Sequence, residues 1–362
     1  MSQPFTILFS GGGSLGHVVP SMAVAAAVKA KRPDARCVFV CADRAEETGM
    51  LRAAGYAYQT LHAPKFPHGF SPAFLTFPFS FVAAFLRSKK IIDAEKPQVV
   101  FSKGGFASVP LVIAARMRHI PVVLHESDSV LSLSSGLIAK VADRICTGFP
   151  GIELPPAVAA KATHTGNPVR TDILRGSEAA GQRITGFSGR RPVVMIIGGS
   201  QGSLALNAAV QDSLQSLVDI ADVIHLTGKG KAVTADHARY FVRETVIEEL
   251  PHLYAFSDVI VSRTGAGVLS ELAALKKPVI TVPLTGVARD HQMKNAKALE
   301  SRGAVVLLRQ EDLSQLTASI KNLLADPARR TKLGEALATA FPAHAAESAA
   351  DAILAALQTP RV

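Results

Sequence analysis

Three stretches of this chain share one plan: an aliphatic run, a glycine-rich bend carrying a small hydroxylated residue, and a helix-forming stretch. They are Ile7–Pro20 (ILFSGGGSLGHVVP), Arg191–Ala208 (RPVVMIIGGSQGSLALNA) and Val259–Ala274 (VIVSRTGAGVLSELAA). Glycines allow positive φ and a close approach of backbone to ligand, and the helix start beyond them turns unpaired N–H groups toward an anion. The plan restricts the chain to strand–loop–helix units and points to a phosphate-bearing ligand. Gly11-x-Gly13-x-x-Gly16 is a weak dinucleotide fingerprint on its own, and no Gly-Lys-Ser/Thr follows, which excludes a P-loop. Four glycines in Ile7–Pro20 are more than a plain turn requires.

Between these stretches, strand-like runs such as Cys37–Cys41 and Val99–Phe101 alternate with helical patterns such as Pro20–Lys31 and Pro110–Arg118. The alternation predicts an α/β fold with parallel sheets covered by helices on both faces. Because the opening plan restarts at Arg191, two Rossmann-like domains are expected. Residues 1–170 form the first and 192–342 the second, with a polar, Gly- and Arg-containing linker at 171–191. An alanine-rich helix at about 343–357 is expected to pack back on the first domain. Ligands of such a pair are expected in the cleft between the domains, outside the carboxyl ends of the strands.

Composition narrows the partners. A hydrophobic content of 48% and a mean hydropathy of +0.25 suffice for large cores. The net charge of +10 suggests an anionic partner, whether nucleic acid, phospholipid or phosphorylated substrate. Cys37, Cys41 and Cys146 lie in apolar context and read as reduced, buried thiols of a cytoplasmic protein. The opening residues lack a basic n-region, so no signal peptide is expected.

Six ordered motifs carry a resemblance. The chain reads GGGSLGHVVP, then SKGGFASVP (Ser102–Pro110), HESDSV (His125–Val130), TGNPVR (Thr165–Arg170), GGSQG (Gly198–Gly202) and SRTGAGVLSELAA. In this order, over nearly the whole chain, they resemble the MurG family. These are transferases of the GT-B fold that move N-acetylglucosamine (GlcNAc) from UDP-GlcNAc to undecaprenyl-pyrophosphoryl-MurNAc-pentapeptide (lipid I), making lipid II of peptidoglycan. The resemblance implies an inverting hexosyltransferase with no cofactor, and no Asp-x-Asp metal motif is evident. Its implied partners are UDP-GlcNAc, lipid I and the anionic inner leaflet, with no nucleic acid. The implied location is peripheral, on the cytoplasmic face of the cell membrane.

By the same resemblance, donor-binding residues are Ser14, Leu15, Gly16, Asp128, Arg170, Ser200, Ile247, Ala266, Gly267, Val268, Leu269, Ser270, Glu271 and Gln292. Glu271 would clamp the ribose hydroxyls, since a carboxylate accepts two protons well; Gln292 can donate to and accept from a sugar. Gly12, Gly13, Ser14, Gly16 and His17 would hold the acceptor diphosphate, beside His125 and Glu126. His17 is the candidate general base, because an imidazole near neutral pH takes up a hydroxyl proton. Three departures from the family pattern fall in this half: Leu15 stands for a glycine, Asp128 for an asparagine, and Leu131–Gly136 (LSLSSG) replaces Pro-Gly-x-x-Asn-Lys.

Residues 66–90 hold seven of the 17 phenylalanines and end in basic residues. Phe70, Phe74, Phe77, Phe81 and Phe85, with Arg87, Lys89 and Lys90, suit docking on an anionic leaflet. Pro72 and Pro78 argue against one continuous spanning helix. Alternatives to lipid I transfer are a GT-B transferase with another lipid acceptor, a non-hydrolysing UDP-sugar epimerase, and a degenerate UDP-sugar-binding homologue without turnover.

Overall fold

The computed structural model describes residues 5–12, 15–64, 73–199, 202–233, 236–286 and 290–358. They divide into two units, and the chain passes between them after Gly148, Gly151, Arg170 and Ala343.

The first unit is built on β1 (Thr6–Ser10), β2 (Arg36–Cys41), β3 (Ala57–Thr60), β4 (Val99–Ser102), β5 (Val122–Glu126), β6 (Arg144–Thr147) and β7 (Ala162–His164). All pair in parallel, in the order β3-β2-β1-β4-β5-β6-β7. Strands buried on both faces need apolar residues at successive positions, and β1, β4 and β5 are buried throughout. Alternation then sorts them. Leu8, Val38, Val40 and Val100 fill one layer, while Ile7, Phe9, Cys37, Phe39 and Phe101 fill the other. The parallel register sets Phe9 opposite Phe39 and Phe101, with ring centroids 5.1 and 5.5 Å away. The helix Ala345–Ala356 adds Ala349, Ala350, Ile353 and Ala356 to this second layer. All three cysteines are buried, and burial pushes the thiols of Cys37 and Cys41 up to about 11 and that of Cys146 to about 12.

The second unit repeats the plan with β8 (Val193–Ile197), β9 (Asp222–Leu226), β10 (Tyr240–Arg243), β11 (Val259–Ser262), β12 (Val279–Thr281) and β13 (Val306–Leu307). Its order is β10-β9-β8-β11-β12-β13, again parallel. Both sheets reverse direction of growth once, between β1 and β4 and between β8 and β11. Such a switch point opens a crevice at the carboxyl ends of the two strands.

Two expectations are corrected. The stretch 171–191 is ordered chain belonging to the second unit. Thr171–Arg175 forms a 3-10 turn with Ile173 buried, and Glu178–Thr185 is a helix capped by Ser177 and closed by Gly186 at φ 73°. Its glycines serve close packing rather than flexibility. A Cβ on Gly181 would lie 2.5 Å from the His252 carbonyl oxygen, and one on Gly176 2.1 Å from that of Pro251. The first helix begins at Leu15, ahead of Pro20, and runs to Lys31 with that proline inside it. His17 therefore sits in the first helical turn.

Candidate functional site

At the β1/β4 switch point, His17 leans on the two glycine loops. Its Nδ1 is 3.1 Å from the Gly12 carbonyl oxygen. A carbonyl only accepts, so Nδ1 carries the proton and Nε2 is the accepting nitrogen of the neutral ring. Gly105, at φ 82°, supplies the floor: a Cβ there would come within 3.1 Å of His17 Cε1. Gly12 is held as tightly on its other side, where a Cβ would lie 2.6 Å from the Ala42 nitrogen. Burial, then the Lys103 ammonium, lowers the His17 pKa below its ordinary 6.5, while the Gly12 carbonyl and Asp128 pull the other way. Gly16 is exposed at the helix start. Leu15 opens the helix, but its side chain, with Gly13 and Ser14, lies outside the described residues.

Behind His17 the sequence reading missed a residue. Lys103, directly after β4, is buried, and its Nζ lies 2.7 Å from His125 Nδ1 and 2.6 Å from Ser127 Oγ. His125 Nε2 faces the Gly166 carbonyl oxygen at 2.9 Å, so Nε2 carries the proton and Nδ1 accepts from the ammonium. Burial and Lys103 hold His125 well below 6.5. Glu126 is also buried, and its carboxylate accepts from the backbone N–H of Ser127, Asp128 and Ser132 at 2.8, 3.1 and 3.4 Å. Burial and the Asp128 charge nonetheless raise its pKa. The divergent LSLSSG segment forms the next helix start: Ser132 Oγ accepts from Ser135 N at 3.1 Å and caps Leu133–Val141. Asp128, expected on the donor side, lies in the first unit beside these groups.

The β8/β11 switch point is made differently. The helix Ala266–Ala274 starts at Gly265 without a side-chain cap. Its first N–H bonded within its own turn is that of Leu269, to the Gly265 carbonyl at 3.1 Å. The N–H groups of Ala266, Gly267 and Val268 thus point out of the helix start, where the macrodipole favours negative charge. Glu271 follows one turn on, half-buried, with Tyr254 Oη 3.4 Å from Oε2. Leu269 is wholly in the core, and the buried Ser270 donates its Oγ to the Ala266 carbonyl at 2.8 Å. Val268 packs against the same core. Ile247 is 58% exposed in the loop after β10, unusual for its type. Gln292 Oε1 accepts from Leu284 N at 3.0 Å. Arg170 is half-buried at the last position of the first unit, and Ser200 lies outside the described residues.

Sequence reading also passed over Arg263. Its buried guanidinium donates to the carbonyls of Val282 and Pro283, to Ser203 Oγ and to Gln310 Oε1, tying together the loops after β8, β11 and β12. Ser203 caps the helix Leu204–Asp212.

The aromatic segment forms one helix, Ala73–Glu95, which runs through Pro78. Helical periodicity packs the half-buried Phe81 and Phe85 against the core, and Phe77 is half-buried as well. The outward face is instead Leu75, Phe79, Val82 and Leu86, the first two 78% exposed, with Arg87 and Lys90 exposed beyond them and Lys89 half-buried. Ile113 and Met117 on the neighbouring helix, then Leu133, Leu137 and Val141 on the next, are exposed as well. The Phe74 side chain and all of Phe70 lie outside the described residues. Among the described residues no helix is long and apolar enough to cross a membrane.

Comparison with known proteins gives two family matches. Residues 7–147 match the glycosyltransferase family 28 N-terminal domain and 193–352 its C-terminal domain. A protein of Clostridium novyi (strain NT) is 37% identical over 314 residues, 86% of this chain and 87% of its own; another, of Clostridium kluyveri, is 34% identical over 337 residues, 92% and 95%. Both are named "UDP-N-acetylglucosamine--N-acetylmuramyl-(pentapeptide) pyrophosphoryl-undecaprenol N-acetylglucosamine transferase". Among solved structures, Acinetobacter baumannii MurG superposes with a TM-score of 0.73 at 23% identity, covering 97% of this chain and 100% of its own. That likeness gives the fold, GT-B.

Proposed function

The chain belongs to the family of these UDP-GlcNAc-dependent transferases, the MurG family, and we propose that His17 is the general base with which it moves GlcNAc onto lipid I. The reaction consumes UDP-GlcNAc and lipid I and yields lipid II and UDP. The acceptor hydroxyl oxygen attacks the anomeric carbon as its proton passes to His17 Nε2. The bond from that carbon to the diphosphate oxygen breaks, and UDP leaves with the electron pair. Inversion follows from this single displacement.

The observation that carries the assignment is the bond from His17 Nδ1–H to the Gly12 carbonyl, which leaves Nε2 as the proton-accepting nitrogen. On the donor side the outward N–H groups of Ala266, Gly267 and Val268 would take up the charge that builds on the leaving diphosphate. Glu271 would clamp the ribose, the exposed Ile247 would meet the uracil, and the Gln292 amide would donate to a sugar hydroxyl. Arg170 and Asp128 remain proposed donor contacts, and Gly12, Gly16, His125 and Glu126 proposed acceptor contacts.

The acceptor is tested by incubating the enzyme and UDP-GlcNAc with lipid I or with diacylglycerol. Turnover confined to lipid I is expected, and turnover on diacylglycerol alone would replace the acceptor. Attachment to the cytoplasmic leaflet is proposed through the face Leu75, Phe79, Val82 and Leu86 and its flanking cations. Leu75→Glu/Phe79→Glu should lose binding to vesicles containing anionic phospholipid while still binding UDP-GlcNAc; unchanged sedimentation with vesicles would remove this face.

A further inference from the structure

The proposed chemistry uses His17 but leaves the buried cation behind it without a task. Lys103 comes from the end of β4 and reaches the end of β5, where its ammonium contacts His125 and Ser127. Only Gly11 separates its stem from His17. A Cβ on Gly11 would stand 3.0 Å from Lys103 Cβ and 3.2 Å from His17 Cβ. A lysine this deep gives up its hydration, and burial brings its pKa down to about 8 against the pull of Glu126, Asp128 and Cys146. It is still charged at neutral pH.

We propose that Lys103 is a buried positioning cation for the transfer, holding His125 in its Nε2–H tautomer and keeping His17 in the neutral form that accepts a proton. Lys103 touches no substrate in this role; it acts through two imidazoles. The charges acting on His17 are those of Lys103 and Asp128, with the Gly12 carbonyl as its hydrogen-bond acceptor. Those acting on His125 are Lys103 and His164, with the Gly166 carbonyl on Nε2. Without Lys103, Asp128 would be left to draw a proton onto His17. With it, that carboxylate is offset and the base stays available as the pH falls.

The proposal rests on His17 as base, so its test reads the charge on His17 directly. In the full-length protein with 13C-labelled histidine, the His17 resonance, identified by its loss in His17→Gln, is followed by NMR against pH. Its midpoint should lie below 6.5 in the wild type, higher in Lys103→Met, and at the wild-type value in Lys103→Arg, which retains the cation. With the wild-type midpoint below 6.5, a one-unit rise would appear in the pH profile of lipid II synthesis as a loss of roughly fivefold for Lys103→Met near pH 5.5, vanishing above pH 8. A wild-type midpoint at or above 6.5, or a midpoint in Lys103→Met no higher than in the wild type, overturns the proposal. The first of these needs no variant at position 103, so misfolding of Lys103→Met would still leave a decisive measurement. Failure of the base assignment is read separately, as retained activity in His17→Ala.

Discussion

The two switch points of this molecule share a topology and divide the chemistry. The one between β1 and β4 gathers side chains that titrate: His17, Lys103, His125, Glu126 and Asp128. The one between β8 and β11 presents backbone, with a bare helix start, small residues and the carboxylate of Glu271. A parallel sheet that reverses its order makes a crevice in either case, and the loop residues decide what enters it. On the proposed roles, the first unit would move the proton and the second would hold the anion.

The comparison is broken most sharply at His17. His17→Ala should lower kcat for lipid II synthesis by on the order of 10^3-fold, with UDP-GlcNAc affinity unchanged, as measured by isothermal titration. A full rate would move the proton chemistry elsewhere.

The second unit has a buried histidine of its own, and its work there should be structural. His225 Nε2 faces Asn207 Oδ1 at 3.1 Å and Nδ1 faces the Tyr240 hydroxyl at 2.7 Å, and burial lowers its pKa to about 4. A histidine whose folded pKa is depressed costs nothing above its unfolded value of 6.5. Below that, the unfolded chain binds the proton first, so stability falls as pH drops from 6.5 toward 4. The loss should reach roughly 3 kcal/mol for this site. Urea unfolding between pH 7.5 and 4.5 should show a flatter pH dependence in His225→Gln than in the wild type.

Glu271 comes next. Glu271→Ala removes a charged acceptor of two hydroxyl protons, worth about 2 kcal/mol, and should raise the KM for UDP-GlcNAc roughly 30-fold with little change in the pH profile. An unchanged KM would dissolve the ribose clamp, and a shifted pH profile would blur the line between the units.

Much of this was legible in the sequence because it is written in local patterns. Strand–glycine–helix units fix the sheets, and the repeat at Arg191 fixes their number. Whatever depended on which way a side chain faces was less legible. The phenylalanines of 66–90 stand out by type, but helical periodicity turns Phe81 and Phe85 inward and exposes Leu75, Phe79, Val82 and Leu86. Gly176 and Gly181 look like linker glycines, and only the helix Leu250–Phe256 pressed against them shows otherwise. Lys103 and Arg263 escaped because a cation in sequence suggests a surface, whereas both find their partners far away in the chain, Lys103 at His125 of β5 and Arg263 in the loops after β8 and β12.

The smallest test sets one glycine of each unit against the other. Gly105 holds φ at 82°, and a Cβ there would meet His17 Cε1 at 3.1 Å. Gly105→Ala combines left-handed strain of about 1–2 kcal/mol with a displaced imidazole, so kcat should fall severalfold and Tm should drop. Gly267 is the opposite case. It lies exposed in the first turn of a helix, with nothing within 4 Å of an added Cβ. Gly267→Ala should therefore raise Tm slightly, by up to about 1 kcal/mol of helix propensity. If a diphosphate approaches that helix start closely, the new methyl has only the ligand to collide with, and the KM for UDP-GlcNAc should rise about fivefold while the protein becomes more stable. A more stable enzyme with an unchanged KM would mean that the anion rests elsewhere, and the backbone-lined half of the comparison would have to be redrawn.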